Sequence, residues 1–195
     1  LGLPTDGLYA NNTFDRQKAA YYMELFRRGK TYTRLTKSGR PQSGLFFPFF
    51  VPNGQLYAYR LRPQFPVPAG TKGGTKKYDQ PRDTGILVYT PPLAATLDHL
   101  RDLAAPLYWT EGEKKALLLA QLGHCVVGLT GVYNWHDVDA KARGEGHRLH
   151  EYIREHYDVA GREHVIVFDS DARTKPQVQL AMQRLAGVLL AAGAL

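Results

Sequence analysis

Two short stretches place acids where acids can do chemistry. "VIVFDSD", Val165 to Asp171, runs from apolar, strand-like residues straight into Asp169 and Asp171. "LYWTEGE" does the same at Glu111, with Glu113 two residues on. In extended chain, residues i and i+2 point to one side, so Asp169 and Asp171 can converge on one hard cation. Mg²⁺ takes oxygen ligands, keeps several waters, and is usually bound by one or two carboxylates plus substrate phosphates. Without a cation or a nearby lysine, such acids repel one another. Plainer roles remain open: Asp171 can cap the helix after it, and Glu111 can cap or charge the helix it precedes.

These acids need elements to carry them. From Pro106 onward, strand and helix patterns alternate. "LYWT" is a strand, "EGEKKALLLAQLG" a helix closed by Gly123, and "CVVGLT" a second strand. "GEGHRLHEYIREHYD" holds a second helix, and "HVIVFD" is a third strand. A last helix starts near Pro176 and puts Val178, Ala181, Met182, Leu185 and Leu189 on one face. Such alternation predicts an α/β fold, a parallel sheet with helices packed on it. Ligands bind outside the carboxyl ends of the strands in such sheets, so Glu111 and Asp169 are expected on one rim.

The first half is different, a small α+β region rich in basic residues. "NNTFDRQKAAYYMELFRRGK" reads as a helix ended by Gly29. "LFFPFFVPNGQLYAYRLRP" reads as a hairpin around Asn53-Gly54, with Pro48 arguing for an edge strand or a bulge. "PVPAGTKGGTKKYDQPRDTG" reads as a flexible basic loop, "ILVYT" as a short strand, and Leu93 to Leu103 as a helix. The expected division is 1–105 for this basic subdomain and 106–195 for the α/β subdomain.

Composition narrows the class. Hydrophobic residues make up 44% and charged residues 22%, the balance of a globular protein. No apolar run is long enough to span a membrane, and no signal peptide is visible. One cysteine, Cys125, allows neither an internal disulfide nor a multi-cysteine zinc site, which fits a cytoplasmic location. A formal net charge of +7 suits a polyanionic partner. The first residue is Leu, so the chain is read as a piece of something longer. Gly29-Lys30-Thr31 is not a P-loop, because Glu24 stands where the motif needs glycine. His147 and His150 form an H-x-x-H without a third ligand in view, and are read as solvated. Trp135 and His136 can either contact substrate or close the core.

In order, "YWTEGEKKALLLAQLG", "VVGLTGV" and "VIVFDSDA" resemble a TOPRIM domain, the module shared by bacterial-type primases, type IA and type II topoisomerases and some nucleases. Its Glu, Gly and D-x-D signature falls on Glu111, Gly131, and Asp169 with Asp171. The resemblance is greatest to the TOPRIM-like domains of phage and plasmid replication proteins, often joined to helicases. Upstream, Phe49, Gly54, Arg60 and Arg62, then Lys77, Tyr78 and Pro81, then Leu87 and Tyr89 are similar in order to the N-terminal subdomain of the bacterial primase core. Two departures stand out. Lys114-Lys115 occupies the region where many primase TOPRIM domains carry an Asp, and the strand expected after the last helix is missing.

The resemblance implies phosphoryl transfer with Mg²⁺ or Mn²⁺, in DNA replication of a mobile element or its host. Glu111 would be general base or metal ligand, and Asp169 and Asp171 metal ligands. Gly131 would be a structural turn. Lys114 would approach a phosphate from a helix start. Arg60, Arg62, Lys76 and Lys77 would follow a nucleic-acid backbone, and Tyr78, like Tyr57 and Tyr59, would stack on bases. Implied partners are single-stranded DNA, nucleotides, and a helicase module beyond Leu195. Two rivals stay open: a TOPRIM-type nuclease, and a non-catalytic module that binds nucleic acid or a helicase, favoured by Lys114-Lys115.

Overall fold

The computed structural model describes residues 32–35, 41–51, 56–68, 74–80, 85–92, 99–100 and 102–195. Side chains at 32–35, 41–43, 67–68, 141, 171 and 173 lie outside the description. The expected helix at 11–30, the turn at Asn53-Gly54 and most of the helix at Leu93 to Leu103 also fall outside it. The chain divides into two units, 1–49 with 56–85, and 50–55 with 86–195.

In the first unit, β1 (Tyr32–Leu35), β2 (Pro41–Phe50) and β3 (Leu56–Pro63) form a sheet in that order. β2 and β3 are the two expected aromatic runs. They lie side by side and bury Phe46 against Tyr59 (ring centroids 5.7 Å apart) and Phe49 against Tyr57 (6.1 Å). β2 is the middle strand, not the edge strand Pro48 argues for; its described pairing with β1 covers Pro41 to Gly44. The expected basic loop carries a short antiparallel ribbon, β4 (Val67–Pro68) with β5 (Thr75–Lys76).

The second unit is the expected α/β layer structure. Its sheet has the order β6-β8-β7-β9, with β6 at Val88–Tyr89, β7 at Leu107–Glu111, β8 at Cys125–Leu129 and β9 at His164–Val167. β7, β8 and β9 are parallel, and β6 joins antiparallel at one edge. All five residues of β8 are buried, as an inner parallel strand requires. Helix α1 (Glu113–Gln121) is built from strong helix formers. It ends at Gly123, whose N–H reaches Ala120 O (3.1 Å) while His124 N–H reaches Leu119 O (3.1 Å).

Pairing register sorts the two faces. Leu107 and Trp109 of β7 lie beside Cys125 and Val127 of β8, and Ile166 of β9 lies beside Trp109. Leu149, Ile153 and Tyr157 pack on this side, with Leu185 and Leu189 from α4 (Pro176–Ala191). Each fully buried leucine here contributes about 1.5–3 kcal/mol. On the other face Gly128 of β8 meets Ala116 of α1. The sheet is therefore a middle layer with helices on both faces. Among the described residues, no helix is long and apolar enough to cross a membrane.

The segment from Gly144 to Asp158 holds the expected second helix as α3 (Glu151–His156), after a separate turn of helix, α2 (Val138–Ala142). Gly144 and Gly146 take positive φ, and the His150 ring accepts the Tyr152 N–H as N-cap, so helix begins only there.

His164 ties β9 to β7. Its Nδ1 accepts the Trp109 Nε1–H (2.8 Å), so its own proton sits on Nε2 and is donated to Val159 O (3.0 Å). A second proton on the ring would break the Trp109 bond. Burial, the largest influence, pushes the His164 pKa below its ordinary 6.5. The unfolded chain then takes up this proton first as pH falls. Stability from this group is full above about pH 6.5 and is lost as pH drops below it. Unfolding free energy should fall between about pH 7 and about pH 5, and His164→Gln should flatten that slope. Equal slopes in denaturant titrations of the two proteins would remove His164 from the account.

Candidate active site at the strand ends

The strand order turns at β7. Its following helix leads to β8 on one side, while β9 lies on the other. In open α/β sheets ligands bind at the carboxyl ends of strands where the order reverses. Glu111 is the last residue of β7, and Asp169 stands two residues past the end of β9. Thr110 pairs with Val167, so both acids lie just beyond the end of one parallel ladder. Adjacent strands run about 4.8 Å apart.

The chain enters α1 abruptly. Gly112 N–H still bonds Leu129 O (2.7 Å), yet its φ is 83°, a left-handed turn that glycine makes at no steric cost. Gly112 is the N-cap of α1, so Glu111 does not cap that helix. Glu113, one residue later, is buried and close to Tyr89, and is no rim acid. Burial, and secondarily the Glu113 charge, pushes the Tyr89 hydroxyl far above its usual pKa.

Beyond β9 the chain makes a single 3-10 turn, Ser170–Arg173, with Ala172 N–H on Asp169 O (2.8 Å). The N-cap of α4 is Lys175, so Asp171 does not cap that helix, which removes its plainer role. The side chain of Asp171 lies outside the described residues. Asp169 forms an ion pair with Lys115 of α1, which lies 54 residues earlier. A counter-charge for the acids was expected from a metal or a lysine; the described structure shows a lysine.

The end of β8 closes the rim. Thr130 Oγ1–H bonds Leu87 O (3.0 Å), Asn134 Nδ2–H bonds Thr130 Oγ1 (2.8 Å), and Asn134 N–H bonds Gly131 O (2.8 Å). Gly131 thus begins a turn. Its φ is not left-handed, and an added Cβ would come no nearer than 3.5 Å to Asn134. Tyr133 Oη–H reaches Gln177 O (2.9 Å) and fastens this loop to the start of α4. Trp135 is fully buried and belongs to the core, while His136, half-buried, bonds Tyr133 O through Nδ1 (2.7 Å).

The basic residues expected to hold nucleic acid divide between the units. Lys114 is exposed in the first turn of α1. The others lie in the first unit. Arg60 is buried, with its guanidinium 4.1 Å from the Tyr78 ring centroid. Arg62 lies 5.4 Å from the same ring and donates to Tyr78 Oη (3.2 Å). Cation–π contact thus engages Tyr78 with both arginines. Lys76 pairs with Asp79 (2.5 Å), and Lys77 is exposed. Tyr57 and Tyr59 are buried in core ring pairs.

Among the described residues, no group of three His, Cys, Asp or Glu side chains could hold a metal ion. Glu111 and Asp169 nevertheless supply hard oxygen donors, the number Mg²⁺ usually takes from protein when phosphates complete its shell. The donor chemistry fits Mg²⁺ or Mn²⁺, on the condition that Lys115 gives up Asp169.

Comparison with curated proteins returns no match. Two solved structures are similar in fold. One is the Aquifex aeolicus primase, zinc-binding and RNA polymerase domains, at 14% identity and a TM-score of 0.47; the match covers 93% of this chain and 48% of that one. The other comes from the bacteriophage T7 lagging-strand DNA polymerase interacting with primase domains of two gp4 subunits bound to an RNA/DNA hybrid and dTTP. There the identity is 15% and the TM-score 0.43, covering 85% of this chain and 68% of that one. One family model matches residues 98–195, a span that contains Glu111, Lys115 and Asp169, and the chain therefore belongs to the family described as a domain of unknown function, DUF3854.

Proposed function

We propose that this chain is a primase-like nucleotidyltransferase core of TOPRIM type, performing metal-dependent phosphoryl transfer on nucleic acid in the replication of a mobile element or its host. The observation that carries the proposal is the placement of Glu111 and Asp169 at the ends of two adjacent parallel strands, where the strand order turns. Asp169 and Asp171 would hold Mg²⁺ or Mn²⁺, which neutralises phosphate charge and orients an attacking hydroxyl. Glu111 would be a further ligand or the general base that takes the proton of that hydroxyl. Lys114 meets a phosphate at the start of α1. In the first unit, Arg62, Lys76 and Lys77 follow the backbone of a single-stranded template, with Arg60 and Tyr78 as their packed support.

A second reading has its own observation. Lys115 already neutralises Asp169, which suits a module that binds nucleic acid without metal. Incubation with single-stranded DNA, nucleotides and Mn²⁺ separates the readings. The primase reading expects template-dependent oligonucleotide products, reduced about 100-fold or more by Asp169→Asn and by Glu111→Gln. Template loss with metal alone would make the protein a nuclease. No product and no loss, with salt-sensitive DNA binding retained in EDTA, would overturn catalysis and leave the binding module.

A further inference from the structure

The ion pair between Lys115 and Asp169 sits at the point where a cation is expected, and its construction has a direction. Glu113 and Ala116 anchor the first turn of α1: Glu113 is buried beside Tyr89, and Ala116 packs on Gly128. Helical side chains lean toward the N-terminus of their helix. Residue 115 is thereby held at the rim, with its ammonium directed at the end of β9. Among the described residues, Lys115 is the side-chain partner of the Asp169 carboxylate. The two side chains are 38% and 49% exposed, so the pair opens to water and adds little stability. A pair so placed and so weak is suited to exchange.

We propose that Lys115 is a resident counter-cation of the strand-end site, holding Asp169 until a phosphate group takes its ammonium. Release of Asp169 then lets a divalent cation bind it beside the same phosphate. An ammonium on the carboxylate opposes a divalent cation, and a phosphate opposes that pairing in turn. Phosphate and cation are therefore coupled, each tightening the other by one common factor, as linkage demands. Lys115 thereby sets the order of loading, and an empty site does not hold metal tightly. The proposal rests on the reading of Glu111 and Asp169 as cation ligands; what it adds is the control that Lys115 exerts on them.

Mn²⁺ alone, titrated calorimetrically without nucleotide, tests it on the full chain. The proteins are wild type, Lys115→Met, Lys115→Gln, Asp169→Asn and the double variant Lys115→Met/Asp169→Asn. Both side chains are well exposed, and thermal melts would check that each variant is folded. Lys115→Met and Lys115→Gln should bind Mn²⁺ about tenfold more tightly than wild type, and the double variant should lose that gain. A short oligothymidylate should tighten Mn²⁺ binding to wild type and change Lys115→Met much less. Equal Mn²⁺ affinity in wild type and both Lys115 variants would sink the counter-cation role while leaving the cation site intact. A gain that survives Asp169→Asn would sink it as well. Absence of Mn²⁺ binding in every protein would overturn both this proposal and the metal-dependent function it rests on.

Discussion

Arg162→Met should destabilise the second unit by about 3–5 kcal/mol, because three buried carbonyls lose a charged donor. In a chain of this size that corresponds to a fall in melting temperature of roughly 10 °C. Arg162 is fully buried. Its guanidinium donates to Ala105 O (2.7 Å), Leu100 O (3.0 Å), His99 O (2.8 Å) and Cys125 Sγ (3.3 Å). Its own carbonyl accepts the Leu195 N–H (2.9 Å). The side chain thus fastens the turn before β7 and the first residue of β8, while the backbone carbonyl holds the end of the chain. Burial raises the Cys125 thiol pKa against the pull of Arg162, so the sulfur serves as a neutral acceptor. Met fills the volume of the aliphatic stem but leaves three carbonyls without this donor, at about 1–3 kcal/mol for each that stays dry. Arg162→Lys should recover only part of the loss, because a single ammonium cannot reproduce the planar fork. Denaturant unfolding of both variants is the measurement. A cost below about 1 kcal/mol for Met would mean that water replaces the guanidinium.

Gly128→Ala should cost about 1–3 kcal/mol, and Gly128→Val more, by overpacking. A Cβ at 128 would stand 3.0 Å from Ala116 Cβ, 3.2 Å from Gly112 O and 3.3 Å from Tyr89 Cβ. Two of those contacts are with α1 and the turn that launches it. Relief requires α1 to move away from the sheet, and that displaces Lys115 from Asp169. By freeing Asp169 of its ammonium, the substitution should also tighten Mn²⁺ binding in the absence of phosphate, as Lys115→Met does, although residue 128 touches neither acid. Parallel unfolding and Mn²⁺ titrations on Gly128→Ala would show both effects. Unchanged stability would mean that the α1–sheet packing yields without strain. By contrast, Gly131→Ala meets only ordinary contacts and should be nearly neutral in the same unfolding measurement.

Much of the second unit was legible in the sequence, for physical reasons that can be named. β7, β8 and β9 are short apolar runs bounded by turn residues, and α4 carries a three-and-four spacing that matches its buried Ala181, Leu185 and Leu189. Glu111 and Asp169 stood out because each follows a short apolar, strand-like run in an alternating α/β pattern. Other features were hidden because they depend on partners distant in sequence. "GREH" reads as a charged turn, and nothing local says that Arg162 is enclosed by carbonyls some 60 residues earlier. Arg60 reads as one of a basic row for a nucleic-acid backbone, but it is buried and the Tyr78 ring covers it. Gly128 reads as a weak spot in a strand until α1 is seen lying on it. Lys115 was visible as a departure from an acidic pattern, but its pairing with Asp169 needed the fold.

β7 is hydrogen-bonded along both sides, to β8 and to β9, whereas β9 in the described sheet has one partner strand. Releasing β7 dissolves two ladders, and releasing β9 dissolves one. In the language of local opening, the two halves of the rim therefore belong to different rungs of stability. Glu111 rides on a strand paired along both sides, and Asp169 follows an edge strand. In the exchange proposed above, the acid that lets go of Lys115 is thus carried at the edge of the sheet, where fewer ladder bonds oppose an adjustment.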